Sequence, residues 1–268
     1  MARIYSLAYL SIAPMQAPQM LELAREVGYG SIGVRLSPPG PGESTQLLDS
    51  PALQRETVSR IKTTGIQIFD IEVIRIGAEF EVQDQRKFLD VAAMLGASVV
   101  LVIGEDSDAP RLTERFAALC EMAASYGLDL QLEFMPWTAV RNARDAARIV
   151  NSAGCPNGKV LVDVLHVARS DTSLDDLSAI PPHRMISAQV CDGRHSGVMS
   201  PQASMAARFQ RLLPGEGDVD IAGIISRLPG DLRIGVEVPN AARMAAVGPA
   251  AWAKQALIAS QLVIDQIR

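Results

Sequence analysis

The chain has 268 residues, 25 of them basic and 30 acidic, giving a formal net charge of −5 with no basic run. A nucleic-acid backbone is held by a basic face, so such a partner is not expected. Hydrophobic residues at 48% and charged residues at 21% exclude disorder, and no stretch approaches the roughly 20 consecutive apolar residues of a membrane span.

Taken in order, strands and helices alternate. Arg3 to Leu10 reads as a strand rather than a signal peptide, because Ser6, Tyr9 and Ser11 interrupt the apolar run. The first helix, Ala17 to Val27, carries Met20, Leu21, Leu23, Ala24 and Val27 on its apolar side and is closed by Gly28 and Gly30. Ser31 to Leu36 is the second strand, and a helix from Pro51 to Thr64 follows the loop SPPGPGESTQLLDS. Ile66 to Ile74, Ala97 to Ile103 and Leu128 to Phe134 are the next strands, with helices at Val82 to Leu95, Arg111 to Tyr126 and Val140 to Ser152 after them. Val160 to Asp163 is the sixth strand, with a short helical stretch after His166. Arg184 to Val190 and Leu232 to Val238 complete the strands, and helices are expected at Val219 to Leu228 and Pro249 to Ile267.

Parallel strands need crossover helices, and eight such units over this length predict one (β/α)8 TIM barrel across residues 1–268. A doubly wound open sheet is the alternative, but no GxGxxG follows the first strand. The helix-to-strand turns are short, whereas the long segments, Ser37 to Ser50 and Asp192 to Pro214, follow strands. The site is therefore expected on the strand-to-helix face, with the Pro/Gly loop after Arg35 and the loop carrying His195 to Ser200 as candidate lids. Cys120, Cys155 and Cys191 form no CxxC pair and suit neither a disulfide framework nor a thiolate zinc site, which points to a cytoplasmic setting.

The later strands end in oxygen ligands: Glu133 in LQLEF, Asp163 in LVDVLH, Gln189 in SAQVCD and Glu237 in GVEVP. Taken alone, Asp163 followed by His166 reads equally as a helix N-cap with a core histidine behind it. Four polar side chains at equal depth point into one mouth, where three carboxylates repel one another without a cation. One divalent metal ion resolves that conflict, with Mn²⁺ or Mg²⁺ favoured by ligand hardness and Co²⁺ or Zn²⁺ as alternatives.

At LEFMPW, VDVLH, QVCDG, RLLPGEGD and VEVP the chain resembles the xylose-isomerase-like TIM-barrel superfamily of sugar-phosphate isomerases and epimerases. The resemblance implies metal ligation by Glu133, Asp163 and Glu237, and it departs at Gln189, where many epimerases have His. That glutamine, with PGEGD, is similar to the branch containing bacterial 3-dehydroshikimate dehydratases. The resemblance also implies that His166 binds substrate and exchanges a proton with it, and that Arg208, or else Arg211, holds a substrate carboxylate or hydroxyl.

Several residues have two readings. Glu72 and Arg75 line the mouth or pair with each other, and Arg35 meets an anionic substrate or a rim carboxylate. Trp137 and Phe134 form an apolar wall or simply pack, and Glu216 satisfies amides of the PGEGD turn. Trp252 and Leu257 offer a patch for a homo-oligomer, or pack on the barrel. The expected function is a metal-dependent isomerase or epimerase acting on a small polyhydroxylated carbonyl compound through an enediolate, with Glu133 and Glu237 moving the proton. Loss of a β-hydroxyl assisted by His166 gives a dehydratase instead. A histidine-rich nuclease centre is disfavoured by only three histidines, and a non-catalytic binding barrel by the intact acidic strand ends.

Overall fold

A computed structural model describes residues 3–36, 46–194 and 209–267. Eight parallel strands close a barrel in sequence order: β1 (Tyr5–Leu7), β2 (Ser31–Arg35), β3 (Gln67–Ile76), β4 (Val99–Gly104), β5 (Asp129–Glu133), β6 (Gly158–Asp163), β7 (Ser187–Val190) and β8 (Arg233–Val236). β1 pairs with both β2 and β8, so the expected TIM barrel is the fold.

Strand side chains alternate between the barrel interior and the layer under the helices. Leu7, Ile32, Ile71, Leu132, Val162 and Ile234 belong to the large core between sheet and helices. Phe69, Val99, Leu101, Ile103 and Leu161 fill the interior along one arc of the barrel. The facing arc is built instead from small and polar groups, among them Ser6, Ser31 and Ser187, all buried.

The helices are α1 (Ala17–Val27), α2 (Gln46–Asp49), α3 (Pro51–Thr64), α4 (Arg86–Met94), α5 (Ala109–Ala124), α6 (Ala143–Ala153), α7 (Val164–Arg169), α8 (Leu174–Ser178), α9 (Ile221–Ile225), α10 (Ala241–Val247) and α11 (Pro249–Ile264). Gly28 and Gly65 end α1 and α3 at φ of 101° and 73°, the left-handed turn that a side chain resists.

Where sequence and structure differ, local hydrogen bonding explains it. The first strand stops at Leu7, because the chain turns into a 3-10 helix at Tyr9–Ser11 and the Ser11 hydroxyl donates to the Val236 carbonyl, 2.8 Å away. The helix expected at Val82 starts as a 3-10 turn, Val82–Gln85, before α4. α2 falls in a segment read as loop, and α8 and α10 in stretches to which the sequence reading gave no element. Trp252 and Leu257 are buried on the barrel, with Trp252 Nε1 donating to the Val238 carbonyl at 3.2 Å, so they provide no association patch. Among the described residues no helix is long and apolar enough to cross a membrane.

Candidate active site

Asp163 is both a cap and a site residue. It ends β6 and caps α7: Oδ1 accepts from the Leu165 and His166 amides at 2.8 and 3.3 Å. Its other oxygen, Oδ2, faces the barrel mouth and takes a hydrogen bond from Arg211 Nη1 at 2.6 Å. Burial raises the affinity of this carboxyl for a proton, but the Arg211 and His166 charges and the amides outweigh it, and the pKa lies below the ordinary value.

The helix begins at Val164, so His166 lies within its first turn rather than before it. That turn carries the ring back over the mouth. Nε2 lies 3.3 Å from Glu133 Oε1 and 3.9 Å from Asp163 Oδ2. Trp137 holds the ring edge-on, with centroids 5.0 Å apart and planes at 87°. Nδ1 is buried with no hydrogen-bond partner.

Gln189 stands beside Asp163 in the β6–β7 register, and its Nε2 donates to Glu237 Oε1 at 3.1 Å. Glu237 follows β8, with its amide bonded to the Val190 carbonyl. Arg211 Nη1 lies 2.9 Å from Glu237 Oε2. Burial drives the Glu237 carboxyl up to about 8 against the pull of Arg211. Gln189 Oε1 is buried and unpartnered.

On the opposite wall Arg35 Nη2 pairs with Glu72 Oε2 at 3.0 Å. Burial lifts Glu72 to about 7, with Arg35 opposing. Two register shifts in β3, opposite Ile32/Gly33 and at Ile71/Ile74, turn neighbouring residues to the same side. Asp70 thereby enters the interior beside Gly33, and Glu72 and Val73 both line the mouth.

These groups border a cavity of about 380 Å³ at the C-terminal ends of the strands, lined by Arg35, Glu72, Glu133, His166, Arg211 and Glu237 among others. Trp137 belongs to its wall, whereas Phe134 packs in the outer core. Arg75 pairs with Glu105 rather than Glu72. Glu216 accepts from the Leu213 amide at 3.1 Å and pairs with Arg243. Arg208, the loop His195 to Ser200 and most of the Pro/Gly loop after Arg35 lie outside the described residues. Among the described residues, Arg211, Arg35 and Arg75 are the arginines that line the cavity.

Asp70 escaped the sequence reading because strict alternation hides it. Asp192 did too: its carboxylate accepts from the Gly193, Gly215, Gly217 and Val219 amides at 2.8 to 3.2 Å, tying the PGEGD turn to β7. The sequence signal was the run of glycines around an aspartate.

A parallel barrel with an acidic, histidine-bearing mouth at the C-terminal strand ends is a TIM barrel whose mouth carries side chains that could hold a metal ion. The family model described as xylose isomerase-like TIM barrel matches residues 21–260, and the chain belongs to that family. A search of curated proteins finds no match. Among solved structures, a xylose isomerase-like TIM barrel/4-hydroxyphenylpyruvate dioxygenase fusion protein superposes with a TM-score of 0.85 at 20% identity; the chain is covered over 100% of its length and spans 44% of that protein. The IOLI protein with a bound zinc atom matches at TM-score 0.80 and 14% identity, over 99% of both chains. The probable 3-DHS dehydratase AsbF of Bacillus anthracis matches at TM-score 0.76 and 17% identity, over 97% of this chain and 98% of that one.

The donors fit a divalent ion. Glu133, Asp163 and His166 each offer an atom within 4.8 Å of the others, all buried. Glu237 lies outside that group but lines the same cavity, and Gln189, bonded to Glu237, has a buried, unpartnered Oε1; oxygen donors predominate among these residues.

Proposed function

We propose that the protein is a divalent-metal-dependent enzyme that moves a proton between carbons of a small polyhydroxylated carbonyl substrate, as isomerases and epimerases do. The observation that carries this reading is that Glu133, His166, Arg211 and Glu237 line one cavity, with Asp163 paired to Arg211 and Gln189 bonded to Glu237 beside it. Glu133, Asp163, Gln189 and Glu237 would hold the ion, with Mn²⁺ or Mg²⁺ preferred by this oxygen set and Co²⁺ or Zn²⁺ accepted. Bound there, the ion supplies Lewis acidity to a substrate carbonyl.

The chain's own groups supply the proton traffic. Glu133 takes the proton next to the carbonyl, and Glu237 returns one. His166 Nε2 exchanges a proton with a substrate oxygen, and its T-shaped contact with Trp137 fixes the ring plane. Arg211, Arg35 and Glu72 orient the oxygens of the substrate.

A second reading is a 3-dehydroshikimate dehydratase-like lyase. Gln189 at the β7 end and the buried Arg211 favour it, since a guanidinium suits a substrate carboxylate. Here His166 protonates the departing β-hydroxyl. Metal analysis combined with two assays separates these outcomes. Exchange of an α-proton into D₂O with ketoses or their phosphates supports the isomerase. Formation of an ultraviolet-absorbing aromatic acid from 3-dehydroshikimate supports the lyase, and metal-free protein active in either assay overturns the metal-dependent reading.

A further inference from the structure

Asp163 and Glu237 have all four carboxylate oxygens engaged within the protein. Asp163 Oδ1 is taken by two helix amides and Glu237 Oε1 by the Gln189 amide. The other two, Asp163 Oδ2 and Glu237 Oε2, share one nitrogen, Arg211 Nη1, at 2.6 and 2.9 Å. That nitrogen also reaches the Glu237 carbonyl at 3.3 Å and Cys191 Sγ at 3.4 Å. The Arg211 side chain is 3% exposed. A guanidinium this buried is held by its counter-charges, and the counter-charges by it.

The oxygens Arg211 occupies belong to two of the proposed metal ligands. A divalent ion contacts carboxylate oxygens at roughly 2.0–2.2 Å, and two cations at the same oxygens repel strongly in a buried site. The Arg211 backbone is pinned: its amide donates to the Pro239 carbonyl at 3.0 Å, Asn240 Nδ2 donates to its carbonyl at 3.0 Å, and Leu212 bridges to Asp192. The side chain, in contrast, borders the open cavity.

We propose that Arg211 is a built-in counter-cation that exchanges with the divalent ion, leaving Asp163 Oδ2 and Glu237 Oε2 by side-chain rotation into the cavity as the ion enters. The inference rests on the metal-dependent reading and adds an order to it. Arg211 becomes available to a substrate anion only after the ion has released it, so ion binding precedes substrate binding.

The test is calorimetric titration of metal-stripped wild-type, Arg211→Lys and Arg211→Met proteins with Mn²⁺, with thermal melting of each. Arg211→Met is expected to bind Mn²⁺ at least about tenfold more tightly than wild type, since the competing charge is gone. Without the ion it is expected to melt below wild type, and to recover most of the loss when Mn²⁺ is added. Equal or weaker Mn²⁺ affinity in Arg211→Met overturns the exchange while leaving the metal reading intact. No Mn²⁺ binding by either protein overturns both. Should Arg211→Met fail to fold, nitrogen-15 spectra of the wild-type guanidinium decide. The slowly exchanging Arg211 Nη–H signals, assigned by their absence in Arg211→Lys, are expected to vanish on saturation with Zn²⁺, and their persistence overturns the proposal.

Discussion

Arg35 Nη2 and Glu72 Oε2 stand 3.0 Å apart in side chains that are 7% and 2% exposed, and Arg35 also lies over the Tyr9 ring, 5.5 Å from its centroid. Removing one partner strands a buried charge, while removing both does not. Glu72→Gln is expected to destabilise the protein by roughly 3 kcal/mol. The double variant Arg35→Met/Glu72→Gln should lose less than the sum of the two single losses. Urea unfolding of the four proteins measures this coupling, and simple additivity would contradict the pairing.

Glu133 and Glu237 are expected to be indispensable for turnover. Glu133→Gln and Glu237→Gln each remove a proton-transfer group, so activity should fall by roughly 10²- to 10⁴-fold; the melting temperature should change little in Glu133→Gln, whereas Glu237→Gln also removes a counter-charge of the buried Arg211 and should melt lower. Initial rates on whichever substrate the two assays identify, together with thermal melts, provide the check.

If Gln189 is a ligand as proposed, it is expected to limit the affinity for the ion. An amide oxygen is a weak, neutral ligand, and imidazole is a better one for zinc and manganese. Gln189→His is expected to tighten Zn²⁺ binding by about tenfold or more, at the cost of the hydrogen bond to Glu237 Oε1. Competition against a chelator of known affinity reads out the change; unchanged binding would show that position 189 stands outside the ligand set.

Asp70 gives the ion-free protein a pH dependence of definite sign. Burial, reinforced by the Glu237 and Glu133 charges and opposed by Arg233, lifts its pKa from 3.8 to about 7. The folded state therefore holds the proton that the unfolded state gives up. This contribution is complete below about pH 4, decreases as pH rises, and is gone above about pH 7. Glu72 acts with the same sign up to about 7 and Glu237 up to about 8, whereas Asp163, with its lowered pKa, opposes them. Asp70→Asn should flatten the decline between about pH 4 and about pH 7, by at most about 4 kcal/mol for a shift of this size. Melting temperatures across that range test it, and an unchanged slope would exclude Asp70 as a source.

The barrel was legible because its signals are redundant: apolar strands, glycine-closed helices and short helix-to-strand turns all agree. The acidic strand ends were legible for a related reason, since charge is conspicuous at the end of a run such as Val160 to Asp163. Asp70 was hidden, because QIFDIEVIRI read with strict alternation gives no hint of where the register slips. The place of Arg211 was also beyond sequence: the bridge between Asp192 and Leu212 holds the neighbouring chain, and the Arg211 side chain meets Asp163. Asp163 shows that two readings of one residue need not compete, because a carboxylate has two oxygens and here each has its own task.

The irregular third strand shapes what the mouth can recognise. Its slip at Ile71/Ile74 sets a carboxylate, Glu72, and an isopropyl group, Val73, side by side along one wall of the cavity. A molecule resting there meets a hydrophilic strip and a greasy strip in parallel. The consequence of the slip is that one strand lends the cavity both a charged and an apolar lining side chain at successive positions.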